Sequence, residues 1–332
     1  MYNIASPHLY VVLQVPRIPT WKGVFNCQQF LRCPDFTARQ YRWPDCPQAI
    51  NNILVEGGVT HVTGGNENVP FTVLATALVG ILQNAHQQDL LPEEYFVNVK
   101  GYGPDTMTAN DLISWVARLA DGTATEEDTI VNAVEIGVPC GKDNTTAGHS
   151  IRKAISTLPF GDGASESTNL VLKQRDYFLS HSSPPSDITE QSIWDRHAGY
   201  TILCSPKDAE TGGHIDPGCA IAVVATLVGK KLWTLWSAAG EDIGAQEGGS
   251  NNENGGRLTV TTGPGEVLIL SPGILHSVDT LESAICLGIN YWHPCLKNVS
   301  TILSNLGTYF SKRGIKKEIK HWGEVQKGYN VE

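Results

Sequence analysis

Two histidines and one aspartate have the residue types and spacing of a metal site. His214 and Asp216 are separated by one residue, so on an extended strand both side chains point to the same face. His276 follows much later in the chain, just after a Pro-Gly pair and two apolar residues. Two imidazoles and one carboxylate form a set that holds Fe(II) on one side and leaves the other positions open for O₂ and a chelating co-substrate. The three residues therefore predict a site for iron and oxygen chemistry.

A lysine on the next apolar segment could serve the same site. Lys231 begins the segment Lys231–Trp236, and a buried lysine needs an anionic partner to offset the cost of desolvation. The distal carboxylate of 2-oxoglutarate would be such a partner, and Thr211, three residues before His214, could donate its hydroxyl to the same group. The alternative is that Lys230 and Lys231 are both ordinary lysines of a hairpin turn. Spacing alone leaves both interpretations open.

Short apolar segments separated by Gly and Pro predict that strands carry these residues. The run Ala220–Val228 is typical of a buried strand, and Gly229 with Lys230 predicts a tight turn after it. The same alternation continues in Arg257–Thr261, Glu266–Leu270 and Ala284–Trp292. His276 can reach His214 only if the strands curl around. We therefore predict a mainly β fold with flanking helices, built on a double-stranded β-helix, which is a cupin-like jelly-roll barrel.

Alternation of side chains assigns two faces to the last of these segments. Ala284, Cys286, Gly288 and Asn290 share one face, which suits the lumen of a barrel that holds a ligand. Gly288 would leave space there, and Asn290 offers both hydrogen-bond donors and an acceptor. An asparagine that bonds only to neighbouring backbone is the open alternative.

The N-terminal part of the chain contains fewer motifs that indicate chemistry, and we predict that its role is structural. Phe71–Ala85 is rich in alanine and leucine, and Asp111–Ala120 follows Thr108, a candidate N-cap, so both segments predict helices. We expect these helices to pack outside the barrel and cover its edges. Three regions result: a mixed and helical N-terminal region (1–155), a catalytic jelly roll (156–297) and a helical C-terminal extension (298–332).

Composition favours an intracellular protein. The eight cysteines have neither disulfide-framework nor zinc-ligand spacing, and Met1–Pro16 lacks a secretory pattern, so we expect reduced thiols and a location in the nucleus or cytoplasm. No apolar run approaches the roughly 20 residues that span a membrane, so no membrane association is expected. A net charge of −10 argues against direct nucleic-acid binding, which needs a basic face.

An acidic segment rich in Gly and Asn, residues 240–256, joins two of the predicted barrel strands. It could be a mobile flap that attracts cations, although a flexible insertion is the simpler interpretation. A chain of this charge accommodates a basic peptide more easily than nucleic acid.

Four sequence blocks, in order and at suitable spacing, resemble a JmjC domain. The blocks are residues 211–218, 229–236, 263–278 and 287–293. The resemblance covers roughly residues 160 to 297. The chain is most similar to the branch of lysine demethylases that carry F-box or plant-homeodomain finger modules.

This resemblance implies a role for each candidate residue. The implied iron ligands are His214, Asp216 and His276. Thr211 and Lys231 would hold the C5 carboxylate of 2-oxoglutarate, and Asn290 would line the co-substrate pocket. One departure is Val224, which stands where the relatives carry a polar or aromatic residue that helps to seat the co-substrate. Another is the lack of a zinc-finger reader.

The implied activity is that of an Fe(II)- and 2-oxoglutarate-dependent dioxygenase, which consumes O₂, hydroxylates a C–H bond and forms succinate and CO₂. Its substrate would be a protein or peptide, histone-like in the demethylase branch, and an N-methyl group would leave as formaldehyde after hydroxylation. Two alternatives remain open. One is an oxygenase of the same type that acts on a small molecule, as Val224 and the missing reader suggest. The other is a non-catalytic jelly-roll binding protein.

Overall fold

A computed structural model of the chain describes residues 38–42, 58–63, 71–99, 103–125, 131–139, 197–214, 216, 221–236, 257–271 and 274–291. Both predicted domain boundaries, the acidic segment 240–256 and the extension 298–332 lie outside the described residues. The described part is mainly β, with two helices.

Eleven strands and two helices make up this part of the chain. The strands are β1 (Ala38–Arg42), β2 (Val59–Thr63), β3 (Glu94–Val99), β4 (Gly103–Thr108), β5 (Val131–Pro139), β6 (His197–Ser205), β7 (Glu210–His214), β8 (Ile221–Trp236), β9 (Arg257–Thr262), β10 (Val267–Leu270) and β11 (Leu275–Tyr291). The helices are α1 (Phe71–Gln87) and α2 (Ala109–Asp121). The strands form one mixed sheet in the order β1-β2-β10-β8-β11-β6-β5-β3-β4, with β7 beside β11 and β9 beside β8.

A long antiparallel ribbon of β8 and β11 organises the sheet. The two strands pair along almost their whole length, from Ile221 opposite Tyr291 to Trp236 opposite Leu275. Different strands flank the two halves of this ribbon. β10 and β6 flank the half that contains the start of β8, whereas β9 and β7 flank the other half. The ribbon is therefore shared by two four-stranded units.

The tight turn predicted at Gly229 and Lys230 is wrong, because β8 continues through both residues. Gly229 has a φ of 75°, and a Cβ at this position would collide with the carbonyl oxygen of Ser283 on β11. The register of the ribbon also shifts between Thr280 and Cys286. The glycine thus allows an irregularity within a continuous strand pair, where β-bulges increase bending and twist.

We expect Gly229→Ala to destabilise the fold by about 2 kcal/mol or more, because alanine disfavours a positive φ and the colliding atom belongs to backbone. Urea unfolding would measure this change. Gly80→Ala in α1 is the matched control, since a Cβ there has open space and alanine favours a helix by up to about 1 kcal/mol over glycine. Equal unfolding midpoints for the two variants would contradict this account of the ribbon.

The helices pack on one face of the sheet. Leu78 and Leu82 of α1 and Leu112 of α2 are buried in a cluster with Ile285 and Leu287 of β11. α2 begins at the predicted cap, where the Thr108 hydroxyl accepts the backbone N–H of Asp111. Both predicted helices are confirmed, and neither described helix is long and apolar enough to cross a membrane.

A second, smaller apolar cluster covers the opposite face of the ribbon. It combines Ala222 and Leu268 from one four-stranded unit with Trp233, Leu235 and Val278 from the other. The face without helices therefore carries its own buried surface, and the candidate site lies on this face.

The described strands do not close into a single barrel. β1 and β4, at the two ends of the strand order, each pair with one neighbour only within the described residues. Strands from the N-terminal region also extend the sheet directly, since β2 pairs with β10 and β5 pairs with β6. That region thus contributes strands to the sheet as well as helices to its surface.

Candidate functional site

The structure brings the predicted metal ligands together at the junction of β7 and β11. His214 ends β7 and lies opposite His276 on β11, and Asp216 follows just beyond the strand. The Asp216 carboxylate faces both imidazoles, with 3.9 Å between its Oδ1 and the His214 Nε2 atom and 4.0 Å between its Oδ2 and the His276 Nε2 atom. The two rings lie 4.2 Å apart between centroids. Two residues that are close in sequence and one that is distant therefore form one cluster.

Backbone carbonyls orient both histidines. The His214 Nδ1 atom lies 2.8 Å from the Gly212 oxygen, and the His276 Nδ1 atom lies 3.1 Å from the Ile274 oxygen. A proton on each Nδ1 would make these contacts hydrogen bonds and leave the Nε2 lone pairs directed at the cluster, which is how metal-binding histidines are commonly held. Burial lowers the pKa of His276, although the nearby Asp216 carboxylate acts in the opposite direction. A neutral imidazole is the form that binds metal.

This donor set fits a divalent transition metal. All three donor atoms lie within 4.8 Å of one another, and the group is a candidate metal site on geometry alone. Two imidazole nitrogens and one carboxylate oxygen would leave coordination positions open on an ion such as Fe(II). The side chains of His214 and Asp216 are 33% and 27% exposed, so a ligand can approach the cluster from solvent.

Lys231 lies buried on the same face of the sheet. Its neighbour across the ribbon is Thr280, four residues after His276 on β11, and the Lys231 Nζ atom donates to the Thr280 Oγ1 atom at 2.9 Å. Residues four apart on a strand share a face and are about 13 Å apart. Lys231 is 4% exposed, and burial lowers the pKa of its ammonium group. Within the described part of the chain, no carboxylate lies within salt-bridge distance of this ammonium.

Lys230 points the other way. Its Nζ atom forms an ion pair of 2.8 Å with the Glu282 carboxylate, and both side chains are largely exposed. The alternative that Lys230 and Lys231 are equivalent turn lysines is therefore excluded by the structure.

Thr211 shares the face of His214 because β7 contains a bulge. His276 and Val278, two residues apart on β11, lie opposite His214 and Thr211, which are three residues apart on β7. The additional residue on β7 compensates for the odd spacing, so both side chains point to the same side. The structure thus places Thr211 on the face that carries Lys231 and the cluster of two histidines and one aspartate.

Asn132 on β5 is a site residue that the sequence did not reveal. Its amide nitrogen donates to the Thr211 Oγ1 atom at 3.4 Å, and its amide oxygen accepts the Ser205 hydroxyl at 2.7 Å. Both Asn132 and Ser205 are buried. These bonds fix the Thr211 oxygen as an acceptor, so its hydroxyl hydrogen can be donated to a ligand.

Asn290 lies further along the same face of β11, opposite Ala222 and near the end of the strand. Its side chain is half-buried, and no hydrogen bond of that side chain is found within the described residues. Val224 faces the same side and packs against the smaller apolar cluster. The surface of this face next to Asn290 is therefore apolar.

The expectation that Gly288 leaves space for a ligand is wrong. A Cβ at this position would lie 3.0 Å from the Leu203 side chain and 3.1 Å from the Thr201 hydroxyl. Both neighbours belong to β6, which pairs with β11 here. The glycine accommodates neighbouring side chains, and a ligand would have to bind elsewhere on this face.

Two buried threonine hydroxyls lie next to Lys231 on this face. Thr262 accepts hydrogen bonds of 2.9 Å from both the Thr226 hydroxyl and the Trp233 indole N–H, and the Cys286 thiol lies 3.8 Å from Thr226. Trp233 also packs against His276, with ring centroids 5.9 Å apart. The two hydroxyls thereby fix an aromatic ring beside a candidate metal ligand.

A scan of the chain against protein-family models finds no match, and a search of curated proteins finds no relative. The resemblance to a JmjC domain consequently rests on the four sequence blocks, and function must be inferred from the site.

Proposed function

We propose that the protein is an Fe(II)- and 2-oxoglutarate-dependent dioxygenase of JmjC type. The observation that carries this proposal is the pairing of two features on one face: a 2-His-1-carboxylate cluster, and a buried ammonium on Lys231 without a described carboxylate partner. An uncompensated buried charge is costly. A ligand that chelates the metal at one end and offers a carboxylate at the other would satisfy both features.

We also propose that the core of this mainly β fold is a jelly roll. The unit β6-β11-β8-β10 and the unit β7-β11-β8-β9 share the long ribbon, and residues of both meet in the smaller apolar cluster. Two four-stranded sheets in contact across such a cluster are the layout expected of a double-stranded β-helix. The additional strands of the N-terminal region would then extend one of the two sheets.

The residues of the site would have different roles. His214, Asp216 and His276 would hold the iron, which supplies the oxidation chemistry when bound. Lys231 and Thr211 would fix the distal carboxylate of 2-oxoglutarate by charge and by hydrogen bonding. Asn290 lies further along the same face of the sheet. The balanced reaction converts 2-oxoglutarate, O₂ and a substrate C–H into succinate, CO₂ and a hydroxylated substrate.

The substrate that we propose is a side chain of a protein or peptide, following the demethylase branch that the sequence resembles. Hydroxylation of an N-methyl group would release formaldehyde, whereas hydroxylation of a carbon-bound C–H would give a stable alcohol. The apolar wall around Val224 favours a second candidate, an oxygenase of the same type with a small-molecule substrate, because it differs from the polar or aromatic lining of the resembling family.

Succinate formation tests the proposal directly. Full-length protein would be incubated with Fe(II), ascorbate and 2-oxoglutarate, with and without a panel of methylated histone peptides, while succinate and formaldehyde are followed in parallel. Peptide-stimulated succinate with matching formaldehyde is the expected result for a demethylase. Succinate without peptide dependence would instead favour hydroxylation or the small-molecule candidate. Absence of succinate under every condition would refute the dioxygenase.

A further inference from the structure

We infer that Thr280 is a specificity-determining residue, whose hydroxyl binds the distal carboxylate of the co-substrate together with Lys231. This inference rests on the proposed function. Thr280 is 3% exposed and lies on the face of β11 that carries His276. Thr280 lies outside the four sequence blocks that resemble a JmjC domain, although its spacing of four residues from His276 places both side chains on one face.

The hydrogen bonds of Thr280 and Lys231 indicate which chemical group a ligand must present to them. The Thr280 Oγ1 atom accepts one hydrogen from the Lys231 ammonium at 2.9 Å. A hydroxyl also has one hydrogen to donate, and an ammonium has three. Within the described residues, no other hydrogen bond of either group is found. The pair thus presents hydroxyl and ammonium hydrogens side by side, which matches the two oxygens of one carboxylate.

The backbone holds Thr280 in place on both sides. Its N–H donates to the Ala209 carbonyl oxygen at 2.9 Å, and its own carbonyl oxygen accepts the Asp208 N–H at 2.8 Å. On the other side, Thr280 pairs with Lys231 of β8. The hydroxyl is therefore positioned before a ligand arrives, which reduces the entropic cost of binding.

The threonine on the other side of Lys231 has a different role. Thr262 lies opposite Lys231 on β9, but its oxygen already accepts hydrogen bonds from Thr226 and Trp233. Thr262 thus holds Trp233 in place, whereas the described partner of the Thr280 oxygen is Lys231. The two threonines should consequently respond differently to substitution.

The test compares Thr280→Val, Thr280→Ser and Thr234→Val in the full-length protein with Mn(II) in place of iron. Valine keeps the shape of threonine and removes the hydroxyl, whereas serine keeps the hydroxyl. Thr234 is the matched control, since it is equally buried on β8 but points to the opposite face. Calorimetric titration would give affinities for 2-oxoglutarate and for 2-oxopentanoate, which has the same chain length but lacks the distal carboxylate.

Thr280→Val is expected to weaken 2-oxoglutarate binding about tenfold or more while leaving 2-oxopentanoate binding unchanged, because a hydrogen bond to a charged group is lost. Thr280→Ser should stay within about threefold of wild type, and Thr234→Val should not differ from it. If wild type binds 2-oxoglutarate and Thr280→Val binds it equally well, the role of Thr280 is overturned while the proposed function stands. Equal weakening of both 2-oxo acids would also overturn it, since packing would then be the cause. A wild type that binds neither acid would overturn both proposals.

Discussion

Replacing His214 or Asp216 with alanine is expected to abolish metal binding and 2-oxoglutarate turnover while leaving the fold intact. Each substitution removes one of three donor atoms that lie within 4.8 Å of one another. Residues that act as one unit lose most of their effect when any member is removed, so turnover should fall by about a thousandfold or more. Titration with Mn(II) and the succinate assay would measure the two losses separately.

His214 and Asp216 are better targets than His276 because of their burial. The side chains of His214 and Asp216 are 33% and 27% exposed, so their truncation should change the free energy of unfolding by less than about 1 kcal/mol. His276 is 3% exposed and packs against Trp233, so its removal would also leave a cavity. A thermal melt that matches wild type shows that the lost activity is not a loss of folding.

Glu210→Ala is the matched control for the metal ligands. Glu210 is an exposed carboxylate on the same strand as His214, and it lies opposite Asp279 on β11. Removing it eliminates a negative charge near the site without removing a donor atom of the cluster. Metal binding as weak in Glu210→Ala as in Asp216→Ala would mean that general negative charge, and not coordination, attracts the ion.

Local patterns in the sequence were sufficient to predict several features that the structure contains. The N-cap Thr108 depends on a residue three positions away. Alternation along a strand requires Lys230 and Lys231 to point to opposite faces, but spacing alone left open whether the two lysines lie on a strand or in a turn. The proximity of His214 and His276 was predicted from the chemistry of the residue set, and this prediction required the strands to curl around. In each case the information lies within one element or in the chemistry of the residue set.

Features that depend on distant partners could not be predicted in the same way. A Gly-Lys pair between apolar segments has the same local pattern in a hairpin turn and in a bulged ribbon. Contact with Ser283 on β11 decides between the two, because no side chain fits between Gly229 and that backbone. Asn132 is a similar case, since its partners Thr211 and Ser205 lie more than seventy residues away.

Lys231→Ala is expected to raise the KM for 2-oxoglutarate by about a hundredfold or more, with a smaller effect on kcat. Truncating one partner of a buried charge pair costs several kcal/mol, and a 1.4 kcal/mol loss already weakens binding tenfold. Lys231→Met retains most of the side-chain volume and should show the same KM effect. Because an uncompensated buried ammonium is removed, Lys231→Met should also be at least as stable as wild type in a thermal melt.

Lys230→Ala provides the matched control on the neighbouring residue. Its ion pair with Glu282 is exposed and contributes about 0 to 1 kcal/mol to stability, so its loss should leave KM within about twofold of wild type. Similar KM values for Lys230→Ala and Lys231→Ala would show that the inward orientation of Lys231 has no bearing on the co-substrate.

The affinity for 2-oxoglutarate should also depend on pH through Lys231. Only the protonated ammonium attracts a carboxylate, and burial lowers the pKa of this group in the free protein, with the nearby Cys286 and Cys204 thiols acting in the opposite direction. Affinity should therefore decline as pH rises through this lowered pKa, below the range in which an exposed lysine loses its proton. Lys231→Met has no such proton to lose, so its weak residual affinity should lack this decline. A decline that persists in Lys231→Met would assign the pH dependence to another group, which the comparison of binding curves at successive pH values can detect.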